Sequence, residues 1–120
     1  MADAKSELNE LKRIGAVPQK NSGRGKHDKG DGILDDTWMV DVKEYSKTFG
    51  LSQDVWAKTS TDAFRAGQRE PMLLVVLGEG NKVIRLVVHS MSDFLAMKDQ
   101  IQDLKEYILL LEAQLPSSVI

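Results

Sequence analysis

Six consecutive apolar residues, Met72 to Leu77, stand between Pro71 and the turn-forming run Gly78-Glu79-Gly80-Asn81. Successive side chains of a strand point to opposite faces, so a strand apolar at every position needs both faces of its sheet covered. That requirement selects a sheet with helices packed on it. Val83 to Val88 follows the turn and reads as a returning strand. Upstream, Thr37 to Tyr45 alternates, with Trp38, Val40 and Val42 on one face and Met39, Asp41 and Lys43 on the other. Gly32 to Leu34 pairs with it through a hairpin turn at Asp35-Asp36. Ser52 is placed to cap a helix to about Ala66, presenting Val55, Trp56, Thr59, Ala63 and Ala66, with Gly67 and Pro71 beyond its end. Ser6 to Ile14, with Leu8, Leu11 and Ile14 at helical spacing and Gly15 as a stop, reads as a first short helix. The expected fold class is α/β, a mixed sheet flanked by helices.

A chain of 120 residues, 42% hydrophobic, can bury one core of this kind and is not of the disordered class. With no cysteine it has no disulfide framework, thiolate zinc site or cysteine nucleophile. Its apolar runs are too short to span a membrane, and Met1 to Lys5 leads into no apolar stretch of a secretory signal. A soluble, cytoplasmic protein without a membrane partner is expected. The net charge of −2 averages an uneven distribution. Lys12, Arg13, Lys20, Arg24, Lys26 and Lys29 face only Asp28 in their stretch, whereas four acids and Lys105 occupy the chain from Asp99 onward. Phosphate could be met at the first end and not at the second.

The tail follows a different rule. Phe94, Met97, Ile101, Leu104, Ile108, Leu111 and Leu115 recur at alternating steps of three and four, the seam of a coiled coil. Self-association through this helix, stopped by Pro116, is expected; the alternative is packing on the chain's own domain. The domain organisation is then residues 1–91 for the globular part, with a polar, glycine-bearing loop over residues 16–30, and residues 92–116 for an oligomerisation helix.

Chemistry is suggested where Lys29-Gly30-Asp31 precedes Asp41-Val42-Lys43. Asp41 and Lys43 share a strand face, and the hairpin would bring Asp31 close to Asp41. Two carboxylates at a strand end can hold a divalent cation with positions left for water and phosphate oxygen. A neighbouring lysine can orient hydroxide or offset charge developing on phosphorus. An acid-x-lysine triplet alone is weak, since the chain has four (Asp3-Lys5, Glu10-Lys12, Asp41-Lys43, Asp103-Lys105). Only Asp41-Lys43 lies on an expected strand with a Gly-Asp upstream. The competing reading is an ordinary charged sheet face carrying a surface ion pair.

The ordered blocks Gln19-Lys-Asn-Ser-Gly-Arg-Gly-Lys, Lys29-Gly-Asp and Trp38-Met-Val-Asp-Val-Lys-Glu44 resemble phage-type Holliday-junction resolvases of the PD-(D/E)xK nuclease superfamily. The likeness continues through Leu51-Ser52, Lys58, Ala63, Gly67, Pro71 and Met72 to Val76, about residues 6–78. It implies a PD-(D/E)xK nuclease-like sheet, with Asp31 and Asp41 as metal-binding acids, Lys43 as the catalytic lysine and Glu7 as the first-helix glutamate. Glu10 fits that last place less well by its distance from Gly15. The resemblance further implies a Val42 carbonyl ligand, Mg²⁺ or Mn²⁺, a homodimer with two active sites, and paired cuts in branched DNA. Gly30 stands where the superfamily's name has proline, and Asp41 where glutamate is commoner. Asn21, Ser22, Arg24, Lys26 and Lys29 then become phosphate contacts of the loop, and Lys58 a further one; such contacts position DNA without reading sequence. His27 and His89 have no assigned role, and Trp38 and Trp56 fall on apolar faces, as core residues do.

The leading expectation is thus a Mg²⁺-dependent endodeoxyribonuclease resolving four-way junctions, phage-encoded and working in the bacterial cytoplasm as a homodimer or higher homo-oligomer. The alternatives are a general or repair-type nickase, and a non-catalytic DNA-binding or assembly module of the same fold.

Overall fold

A computed structural model describes residues 4–19 and 31–116. In chain order the elements are α1 (Ala4–Ile14), β1 (Val17–Pro18), β2 (Gly32–Leu34), β3 (Trp38–Tyr45), α2 (Gln53–Arg65), β4 (Glu70–Glu79), β5 (Lys82–Val88) and α3 (Met91–Ala113). The described residues therefore form a mixed α/β fold with one five-stranded sheet and three helices. The chain divides into two compact units, Met1–His89 and Ser90–Ile120.

In the first unit the sheet runs β1-β2-β3-β4-β5, antiparallel throughout except for the parallel pair β3–β4. Parallel neighbours need a crossover, and α2 supplies it. On one face Val40, Val42, Met72, Leu74 and Val76 pack with Leu11 and Ala16. Alternation sends Met39, Leu73 and Val75, also buried, to the opposite face, where α2 contacts β4 and β3 and buries Thr59, Asp62 and Ala63. The apolar run on β4 is thus covered from both sides, as its composition requires.

Local chemistry explains the joints. Asp35 and Asp36 both take positive φ (51° and 57°), the backbone of a type I′ turn, which matches the twist of the strands it joins. Thr37 N–H closes that turn by donating to the Leu34 carbonyl. Ser52 caps α2, its hydroxyl accepting from Val55 N–H at 3.2 Å. Gly32 sits where a Cβ would come within 2.8 Å of Leu11 and 3.1 Å of the Val17 carbonyl. Only glycine lets β2 pass this close beneath α1.

Two expectations need correction. The stretch from residue 16 is not all loop: Val17 and Pro18 form β1, pairing with Ile33 and Gly32. Two residues are too short to show alternation, and Pro18 is tolerated because β1 is an edge strand. Further on, α3 ends at Ala113 with Gln114 as its C-cap, so Leu115 lies past the helix, and Pro116 stands two residues beyond the cap. Asn21, Ser22, Arg24, Lys26 and Lys29 lie outside the described residues.

Candidate metal and phosphate site

The site is built where β2 begins. The pairing of β2 with β3 stops at Gly32–Val40, and Asp31 lies one residue before it, at a bend where the chain enters β2. Asp31 N–H donates to the Val40 carbonyl at 2.8 Å, and the Asp31 carbonyl accepts from Gln19 N–H at 3.0 Å. Its side chain then takes over from the main chain: Asp31 Oδ2 accepts from Val42 N–H at 2.6 Å. In an extended strand a residue's carbonyl points to the same edge as its own N–H, so the Val42 carbonyl also faces the Asp31 side.

Asp41 and Lys43 alternate onto the face that α2 covers. There Lys58 Nζ, itself exposed, binds Asp62 Oδ2 at 3.0 Å. The electrostatics of Asp41 register both groups, Lys58 favouring its ionised form and Asp62 opposing it. From the other helix, Glu7 senses Asp31, Glu44 and Asp41 as like charges and Lys43 as an opposite one.

All three carboxyls are held above their ordinary range. Burial is the first cause for each. The Val42 N–H and Lys43 partly offset it at Asp31, and Asp31 adds to it at Asp41. Burying two carboxylates that repel each other disfavours their ionised forms, so this arrangement is a cost to folding at neutral pH.

Glu7 and Glu10, one turn apart, have different surroundings. Glu10 is 6% exposed and takes a two-pronged contact from Arg85 on β5, Nε to Oε1 at 2.8 Å and Nη2 to Oε2 at 3.1 Å. The Arg85 hydrogen bond holds its carboxyl below the ordinary value. It ties α1 to the sheet, while Glu7 is the glutamate facing the aspartates.

Because Glu7 comes from α1 and Asp41 projects toward α2, the three acids approach the start of β2 from different sides. Among the described residues no three His, Cys, Asp or Glu side chains converge on one ion position. A cleft of about 260 Å³ lies beside Ser6, Glu10, Glu44 and Arg85 and does not include the aspartates.

Sequence reasoning passed over Asp62, a 7% exposed carboxylate on α2. Its signal was the four-residue spacing from Lys58 on the face that carries Thr59 and Ala63. It also passed over Glu44, whose Oε1 accepts from Ser6 Oγ at 2.6 Å, a contact across 38 residues with no local sign. Among the described residues no helix is long and apolar enough to cross a membrane.

Compared with known proteins, the chain matches no protein-family model, no curated protein and no solved structure.

Proposed function

We propose that the chain is a metal-dependent DNA endonuclease of the PD-(D/E)xK type, acting on four-way junctions by paired phosphodiester hydrolysis. The observation that carries this reading is two half-buried carboxylates close enough to repel, Asp31 bonded to Val42 N–H and Asp41 next to it on β3, with Lys43 two residues along the same strand. A fold gains no stability from carboxylates that repel, whereas a cation-binding site needs them. Asp31, Asp41, the Val42 carbonyl and Glu7 are the groups that would hold Mg²⁺ or Mn²⁺. Mg²⁺ asks for only one or two carboxylates beside water and substrate phosphate, so the strand pair supplies enough. When bound, the ion lowers the pKa of a water and polarises the phosphate.

The side chains divide the remaining work. Lys43 lies on the Asp41 face and offsets negative charge as the attacking oxygen approaches phosphorus. Asp31, fixed by Val42 N–H through one oxygen, keeps the other for the site. Lys58, with its exposed ammonium beside Asp62, contacts a phosphate of the same strand. In this reading Asn21, Ser22, Arg24, Lys26 and Lys29 clasp the backbone next to the cut, and the protein works in the cytoplasm of a bacterial host.

The test is cleavage of a labelled synthetic four-way junction with Mg²⁺, beside a linear duplex of the same arm sequence and an Asp31→Asn control. Paired nicks near the branch, absent from the duplex and the variant, are expected. Equal cutting of both substrates would replace the junction with a general nuclease or nickase. A second reading, a non-catalytic DNA-binding module, is favoured by the acids' failure to converge among the described residues. It predicts junction binding unaffected by chelator and no cleavage.

A further inference from the structure

Among its described residues the second compact unit has no interior of its own. No residue of α3 is buried, and Phe94, Met97, Ile101, Leu104, Ile108 and Leu111 are each between 38% and 60% exposed. These six form one seam with three-four spacing, which places Phe94, Ile101 and Ile108 at the first apolar position of each heptad and Met97, Leu104 and Leu111 at the second. Leu95, Leu109 and Leu110 fall outside the seam.

The residue types choose among partners. Isoleucine at the first position with leucine at the second is the combination that favours two parallel strands over trimers or tetramers. Flanking charges agree. In a parallel pair the residue before each first-position residue meets the partner's residue five further on: Asp93 with the partner's Lys98, Gln100 with the partner's Lys105, Tyr107 with the partner's Glu112. One pair is of opposite sign and none is of like sign. In an antiparallel pair overlapped along the whole seam Lys105 would meet the partner's Lys98, a like charge.

The 23-residue helix is about 34 Å long at 1.5 Å per residue. Pairing along it would cover on the order of 600–800 Å² per chain, near the roughly 800 Å² per partner of a standard specific interface.

We propose that α3 pairs with α3 of a second copy as a parallel, in-register, two-stranded coiled coil. Both chains then enter the paired helices from the same end. The inference does not rest on the nuclease reading, since its readouts are mass and cross-linking.

The chain has no cysteine, so a single introduced thiol reports on itself alone. Met97→Cys and Leu111→Cys, prepared separately in the full chain and mildly oxidised, are each expected to give a disulfide-linked dimer that reductant reverses. An antiparallel pair would link neither variant alone, and that result overturns the proposal. Sedimentation velocity of the unmodified chain is expected to give twice the 13.4 kDa chain mass. Leu104→Lys, which leaves the first unit untouched, should return it to the single mass. A wild-type chain that sediments as a monomer at every concentration, with α3 folded back on its own chain, overturns it as well. So does a mass of three or four chains.

Discussion

Asp31 carries two separable effects, and replacing it by asparagine and by alanine tells them apart. Both substitutions delete the charge that repels Asp41 and is sensed by Glu7. Asparagine keeps an oxygen that can accept the Val42 N–H bond now 2.6 Å long; alanine leaves that donor without its partner. Val42 is 5% exposed, so water cannot easily take over. A buried donor left unmade costs about 1–3 kcal/mol. Because charge removal is common to both variants, the gap between them isolates this bond. For a domain of this size about 1 kcal/mol moves Tm by roughly 4–8 °C, so Asp31→Asn should melt at least about 4 °C above Asp31→Ala. Against wild type at pH 7 with chelator present, Asp31→Asn should melt higher, since burial and repulsion of the carboxylate are removed. The assay is thermal unfolding followed by circular dichroism. Equal melting of the two variants would refute the side-chain bond as a ladder substitute. An Asp31→Asn protein less stable than wild type would refute the electrostatic strain.

Further outcomes follow from the same geometry. Glu7, Asp31 and Asp41 have folded pKa values raised above the ordinary 4.5 and 3.8, so the stability tied to their protonated forms is full below those values. It is lost as pH rises through the folded pKa, and Tm with chelator should fall over that window, less so in Asp41→Asn. Glu10 is shifted the other way, so its contribution is present above 4.5 and disappears as pH falls through its lowered pKa. Glu10→Gln should flatten that acid limb in the same titration. Mg²⁺ should raise Tm at pH 7 by binding the folded chain, by about 2.7 kcal/mol of stability at a hundred times its Kd, and Asp41→Asn should abolish the rise. Gly78→Ala should prevent folding of the first unit, since its Cβ would stand 2.0 Å from the Lys82 carbonyl oxygen at a φ of +115°. Loss of the cooperative melt is the readout, and a native-like melt would contradict the tight β4–β5 turn.

What the sequence disclosed was whatever rests on near neighbours. The Met72–Leu77 run announced the central strand, the Asp35-Asp36 pair its hairpin, and Ser52 its helix cap, because each is decided within a few residues. The approach of Asp31 to Asp41 was also legible, since a short turn brings the ends of the strands around it together. Contacts closed by the fold left no such trace. The Glu10–Arg85 pair spans 75 residues and Ser6–Glu44 spans 38, and nothing in either segment names the other. β1 escaped notice because two residues show no period. Asp62 was hidden by its ordinary spacing from Lys58, which reads equally well as a surface pair, yet its carboxylate is buried on the face toward Asp41.

The most direct test of the central claim is single-turnover cleavage of a four-way junction by wild type and by Lys43→Ala, with unfolding curves showing both folded. Lys43 offsets the charge of Asp31, Asp41 and Glu7, so the unfolding curves fix a temperature at which both proteins are folded and the rates are compared there. The account predicts paired nicks by wild type and a rate about 10²–10³-fold lower in the variant, the range for losing one charge-stabilising group. A variant that cuts as fast as wild type would contradict it.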